Sequence, residues 1–140
     1  MMHANVVGLG LIGGSIALAL RKNGYFVGGF DSDSSTIALA IERGIIDNSG
    51  LYPDAIVTFI ATPVALVPGL VRMALESTTG VVTDVGSVKA VIAHEMTNER
   101  FIPGHPMAGS ELDGLDGADA SMFEGAVWVL TPTAYSSDAA

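Results

Sequence analysis

A histidine held between a glycine and a proline, in GHPMAGSE at residues 104–111, is where this sequence first suggests chemistry. The proline directly after His105 disfavours helix there, which predicts a loop or the mouth of a turn. Gly104 and Gly109 leave space for a ring-sized substrate, and Pro106 restricts the backbone so that the imidazole need not be ordered on binding. A neutral imidazole suits a general base that takes a proton from an alcohol as hydride leaves its carbon. Ser87, in TDVGSVK at residues 83–89, is the hydroxyl that could partner it. A serine there would equally cap a helix beginning at VKAV, and the two roles can hold together. His3 and His94 read as solvated surface residues, and no grouping has the spacing of a metal site.

A second pattern lies at the start of the chain, where Gly8, Gly10 and Gly13 form G-x-G-x-x-G. The first glycine permits a tight turn, the second lets backbone approach a pyrophosphate, and the third lets a helix pack closely on a strand. Leu11 and Ile12 then open a helix whose free N–H groups face the phosphates. Asp31 follows Gly13 by 18 residues, near the ~20 expected for the residue that bonds the adenosine ribose. A carboxylate there would repel a 2′-phosphate, Asp33 adds a second negative charge, and DSDSST holds no arginine, so NAD is favoured over NADP. Ala61, Thr62 and Pro63 close a later strand, where a small residue and a bend leave space for the nicotinamide ribose. The competing reading of the glycines is a purely structural turn.

These residues need elements to hold them. Asn5–Val7, YFVGGFD, AIVTFIATP, GVVTDVGS, RFIPG and AVWVLTP read as strands, with at most a short one in IIDNSGLYPD. Between them, LIGGSIALALRKN reads as a helix ending at Gly24, and SSTIALAIERG as one capped by Ser34 or Ser35. ALVPGLVRMALES reads as helical despite Pro68 and Gly69, and VKAVIAHEMTNE as a further helix. Strands alternating with helices predict an α/β fold of the Rossmann type, a doubly wound, mostly parallel sheet with helices on both faces. In such sheets ligands bind beyond the carboxyl ends of the strands, which puts Ser87 and His105 at the same edge.

Composition agrees with one domain over residues 1–140: 49% of residues are hydrophobic and 17 are glycine. Without cysteine, disulfides and thiolate metal sites are excluded. A formal charge of −9 with only six Lys plus Arg repels phosphate backbones and anionic lipids, so no nucleic acid and no membrane partner is expected. The N-terminus lacks a signal-peptide pattern, and a cytoplasmic location is expected.

The stretches VVGLGLIGGSIALAL, FDSD, FIATPV, TDVGSVK, PGHPMAGSE and FEGAVWVLTP occur in the order and approximate spacing of prephenate dehydrogenases. From about Asn5 to Pro132 the chain resembles that family, which includes arogenate and cyclohexadienyl dehydrogenases. The resemblance implies NAD-dependent oxidative decarboxylation of prephenate or arogenate in tyrosine biosynthesis. It makes His105 the acceptor of the ring-hydroxyl proton and Ser87 the residue that keeps that hydroxyl and the histidine in line.

The family also has a second, mostly helical domain that supplies a homodimer interface and part of the substrate site, and this chain stops where that domain would begin. Prephenate carries two carboxylates, which call for cationic partners. Beyond the N-terminal half the cations are Arg72, Lys89 and Arg100, none in the histidine loop, so the substrate clamp is expected to lie elsewhere. Two alternatives stand beside this reading. One is the N-terminal domain of another dehydrogenase, such as a β-hydroxyacid dehydrogenase or pyrroline-carboxylate reductase. The other is a non-catalytic NAD-binding module.

Overall fold

The computed structural model describes residues 2–85, 99–107, 118 and 127–130, with 105–107 and 127–130 described as backbone. In chain order the elements are β1 (His3–Val7), α1 (Leu11–Lys22), β2 (Phe26–Phe30), α2 (Ser34–Glu42), β3 (Asn48–Ser49) and β4 (Val57–Ile60). They continue with α3 (Val67–Ser77), β5 (Val81–Asp84), β6 (Phe101–Met107) and β7 (Val127–Leu130). The strands form one sheet in the order β3-β2-β1-β4-β5-β6-β7, parallel from β3 to β6 and antiparallel between β6 and β7. This is the expected Rossmann-type arrangement.

Adjacent strand residues point to opposite faces, so a continuous apolar strand implies cover on both sides. In β1, Val6 packs with Leu9, Ile16, Ala17 and Ala40 under α1 and α2. Its neighbour Val7 packs with Ile60, Val67, Val71 and Ala74 under α3. Phe101, 1% exposed, carries the second layer across to β6.

The helix ends follow local chemistry. α1 stops at Asn23, whose side-chain amide donates to the carbonyl of Ala19 at 2.8 Å, and Gly24 takes φ +89°. α2 is capped by Asp33 rather than Ser34 or Ser35. Its carboxylate accepts from the Ser35 amide at 2.9 Å and the Ser35 hydroxyl at 2.6 Å, so both serines are already inside the helix. Those hydrogen bonds hold the Asp33 carboxyl below its ordinary pKa. α3 begins after a 3₁₀ turn at Val64–Leu66, which places Pro68 in the first helical turn, where a missing N–H leaves no intrahelical bond unmade.

Two expectations are corrected. The backbone at His105 is not a loop: β6 runs through it to Met107, with His105 opposite Val129 of β7. The ladder with β5 runs as far as Pro103, so among the described residues Pro106 lies beyond it and interrupts no pairing on that side. His3 is not simply solvated. Its Nδ1 lies 2.8 Å from Asp54, and its ring stacks on Tyr52 with centroids 4.0 Å apart. The predicted helix at VKAVIAHEMTNE, with Ser87, Lys89 and His94, lies outside the described residues. No helix among the described residues is long and apolar enough to cross a membrane.

Candidate functional site

The chain adds β2 and β3 on one side of β1 and then crosses to lay β4 on the other. A crevice therefore opens outside the carboxyl ends of β1 and β4, the place where doubly wound sheets bind ligands. A cavity of about 570 Å³ occupies it, lined by Gly8, Gly10, Asp31, Ala61, Thr62 and Pro63 among the residues singled out from sequence.

Two of the glycines are required by packing. Gly8 leaves β1 at φ +92°, a conformation disfavoured for residues with a Cβ, and its amide donates to the carbonyl of Phe30 at 2.7 Å. A Cβ on Gly13 would overlap the carbonyl oxygen of Gly8, so the third glycine lets α1 sit directly on the turn. A Cβ on Gly10, by contrast, would meet nothing within 4 Å. Gly10 is also the N-cap of α1, which has no side-chain cap and no acidic residue in its first turn. The positive end of the helix thus meets the cleft with no carboxylate from its own first turn.

Leu11, Ile12 and Gly13 do not line the cavity. Gly13 acts through its contact with the turn, while Ile12 packs against the first core layer.

Asp31 joins the two halves of this end. One carboxylate oxygen accepts from the Leu9 amide at 2.9 Å, and the other accepts from the Asp33 amide at 2.9 Å. A carboxylate has about four lone-pair sites, so acceptor capacity remains for a ribose diol. Asp33 does not share this role: it caps α2 and is not among the cleft-lining residues. Thr62 lines the cleft with a buried hydroxyl oxygen that has no hydrogen-bond partner among the described residues. An orphaned polar atom, an open glycine and an uncapped helix end are the features a phosphate- and ribose-bearing ligand satisfies.

Sequence reasoning missed the apolar side of the cleft: Phe30, Leu66, Gly69 and Leu70, with Ser32 beside Asp31. Their one signal was position, since each lies at or just past a strand's carboxyl end or at the start of a helix.

On the strand next to β4, Asp84 ends β5 fully buried and accepts from the Gly104 amide at 3.2 Å, immediately before His105. The backbone of His105 is thereby at the carboxyl edge of the sheet; its side chain, and all of Ser87, lie outside the described residues. Arg100 is occupied: its guanidinium donates to the carbonyls of Leu75, Thr78 and Gly80. Among the described residues no group of three His, Cys, Asp or Glu could hold a metal.

Comparison with known proteins gives a consistent result. Residues 16–140 match the family described as prephenate dehydrogenase, nucleotide-binding domain. A prephenate dehydrogenase of Bacillus subtilis is 38% identical over 91% of this chain and 38% of its own length. The crystal structure of Synechocystis arogenate dehydrogenase is 35% identical, with a TM-score of 0.86, over 98% of this chain and 52% of its own. A prephenate dehydrogenase from A. aeolicus, solved in complex with hydroxyphenyl propionate and NAD+, is 29% identical with a TM-score of 0.88. This chain therefore spans between about two fifths and about half the length of these relatives.

Proposed function

Because this chain belongs to the prephenate dehydrogenase family, we propose that it binds NAD and forms the nucleotide-binding half of an enzyme that oxidatively decarboxylates prephenate or arogenate in tyrosine biosynthesis. The observation that carries the cofactor assignment is the meeting of Asp31, the Gly8 turn and the uncapped start of α1 at one crevice. The Asp31 carboxylate accepts the ribose hydroxyls, the first amides of α1 meet the diphosphate, and the Thr62 hydroxyl, unpartnered among the described residues, gains a partner. When bound, NAD supplies the two-electron oxidant for the ring carbon that carries the hydroxyl.

The chain's own residues supply the acid–base half of the reaction. His105 accepts the proton of the ring hydroxyl, and Ser87 keeps that hydroxyl in line with the imidazole. The ring carboxylate leaves as carbon dioxide, and the aromatic product makes the reaction effectively irreversible. The substrate's carboxylates are met by cations of a second domain, which also forms a homodimer, and the enzyme works in the cytoplasm.

The test is His105→Asn in the full-length enzyme. NAD affinity should stay within about twofold, while turnover falls ~10²–10⁴-fold, as expected on losing a general base. Near-normal turnover would leave His105 without a catalytic role.

A further inference from the structure

Asp84 is a buried acidic side chain that the reaction above does not use. It ends β5 fully buried, two residues after Val82 of the second core layer. Strand alternation therefore sets its side chain on the same face of the sheet as that apolar layer. Burying a carboxylate costs free energy unless donors surround it. The Gly104 amide is one such donor, at 3.2 Å.

The place of that bond in the sheet gives it a consequence. The ladder between β5 and β6 runs as far as Asp84 opposite Pro103, and β6 begins to pair with β7 at Gly104. Gly104 is therefore where β6 changes partner. Phe101 and Ile102, before the change, are buried in the core. From 103 to 106, by contrast, the two prolines leave only Gly104 and His105 with a backbone N–H. The Asp84 side chain holds one of these two donors, and so carries the grip of β5 one residue past the last ladder pair. Ser87 follows Asp84 by three residues, and His105 follows Gly104 by one. A single hydrogen bond thus joins the two segments that carry the acid–base pair.

We propose that Asp84 is a positioning residue for the reaction: by holding the Gly104 amide it fixes the backbone of His105 against β5 and the segment leading to Ser87, instead of leaving it to follow β7. The inference rests on the assignment of His105 as the base. A reacting group displaced by about 1 Å loses on the order of a hundredfold in rate. A bond that tightens one backbone position therefore acts on turnover without touching substrate or cofactor. Asp84 is not among the residues that line the cofactor cleft.

A mutant cycle in the full-length enzyme tests this, with Asp84→Asn, Asp84→Ala and His105→Asn alone, and each Asp84 change combined with His105→Asn. Turnover, NAD affinity and the thermal unfolding midpoint are measured for each. Asp84→Asn keeps the shape but offers a neutral oxygen, a weaker acceptor than a carboxylate, and should lower turnover about three- to tenfold. Asp84→Ala removes the acceptor and should lower turnover about thirtyfold or more. NAD affinity should stay within about twofold in both. In the His105→Asn background neither Asp84 change should lower turnover by more than about twofold, because a residue that acts through His105 has nothing left to position. A carboxylate that only stabilises the fold would give the same factor in both backgrounds.

Equal losses with and without His105 overturn the proposal, as does parent-like turnover in a folded Asp84→Ala enzyme. If alanine unfolds the enzyme, Asp84→Asn decides. Parent-like turnover in that variant, or a loss that persists in the His105→Asn background, overturns the proposal. Parent-like turnover of His105→Asn alone overturns the base assignment itself, a result distinct from any difference among the Asp84 variants.

Discussion

Asp31 shows how much a single position can carry. Its carboxylate reaches from the end of β2 to the Leu9 amide, so it both braces the glycine turn and presents negative charge where an adenosine ribose would lie. A 2′-phosphate would meet that charge at close range, and like charges so placed cost several kcal/mol. NADP should therefore bind at least about a hundredfold more weakly than NAD. Asp31→Ser should narrow the gap, at some loss of NAD affinity, whereas Asp33→Asn should leave the preference unchanged because Asp33 faces Ser35. Equal affinities of the unmodified chain for the two cofactors would contradict this account. The position of Asp31 beside the glycine turn was legible from its spacing after the glycines; the capping role of Asp33 was not. An Asp two residues from another reads as added charge until the hydrogen bonds show it capping a helix. Its lowered pKa makes it stabilising above the ordinary carboxylate value, with that contribution lost as the pH falls through the lowered one.

At the scale of elements, strands bounded by glycine and helices ending at glycine were readable because each depends on local chemistry. β1 and α1 fall where the apolar run and Gly24 place them. What could not be read is what depends on a distant partner. Isolated, GHPM has the chemistry of a loop, yet β7 supplies an antiparallel ladder that draws it into β6. Arg100 is a second case. In sequence it is only one of three cations beyond the N-terminal half, none of them in the histidine loop; in the fold it closes the end of α3 by donating to the carbonyls of Leu75, Thr78 and Gly80. Its own carbonyl accepts from the Val82 amide, so the same residue links β5 to the start of β6. Hydrogen bonds from a charged donor to partly buried carbonyls are among the stronger ones, and Arg100→Met should cost about 2–3 kcal/mol of stability in urea unfolding. NAD affinity should stay within about twofold, because the cleft shares none of these contacts. A stable variant with weakened NAD binding would place Arg100 at the ligand instead.

The whole molecule joins a cofactor-shaped crevice to a strongly acidic chain. Its formal charge is −9, and the cations among the described residues are Arg21, Lys22, Arg43, Arg72 and Arg100. None of them lines the cleft. Arg21 pairs with Asp47 at 3.0 Å and also donates to the Gly44 carbonyl, while Arg100 is held by α3 and the turn after it. A substrate with two carboxylates needs fixed positive partners to enter such a field, and an anion left unpaired beside it is disfavoured. NAD carries its negative charge on a diphosphate that the first amides of α1 can meet, so cofactor binding does not depend on those cations. The two activities should therefore separate. The 140-residue chain should bind NAD, yet its turnover of prephenate or arogenate should fall below that of a full-length relative by at least about a thousandfold, as expected when the charge partners that orient a substrate are missing. Raising the salt should not restore the rate, because screening reduces repulsion but does not position the substrate. Steady-state NADH formation with saturating NAD and increasing substrate measures this directly. A rate comparable to that of the full-length relative would show that these residues already hold both carboxylates.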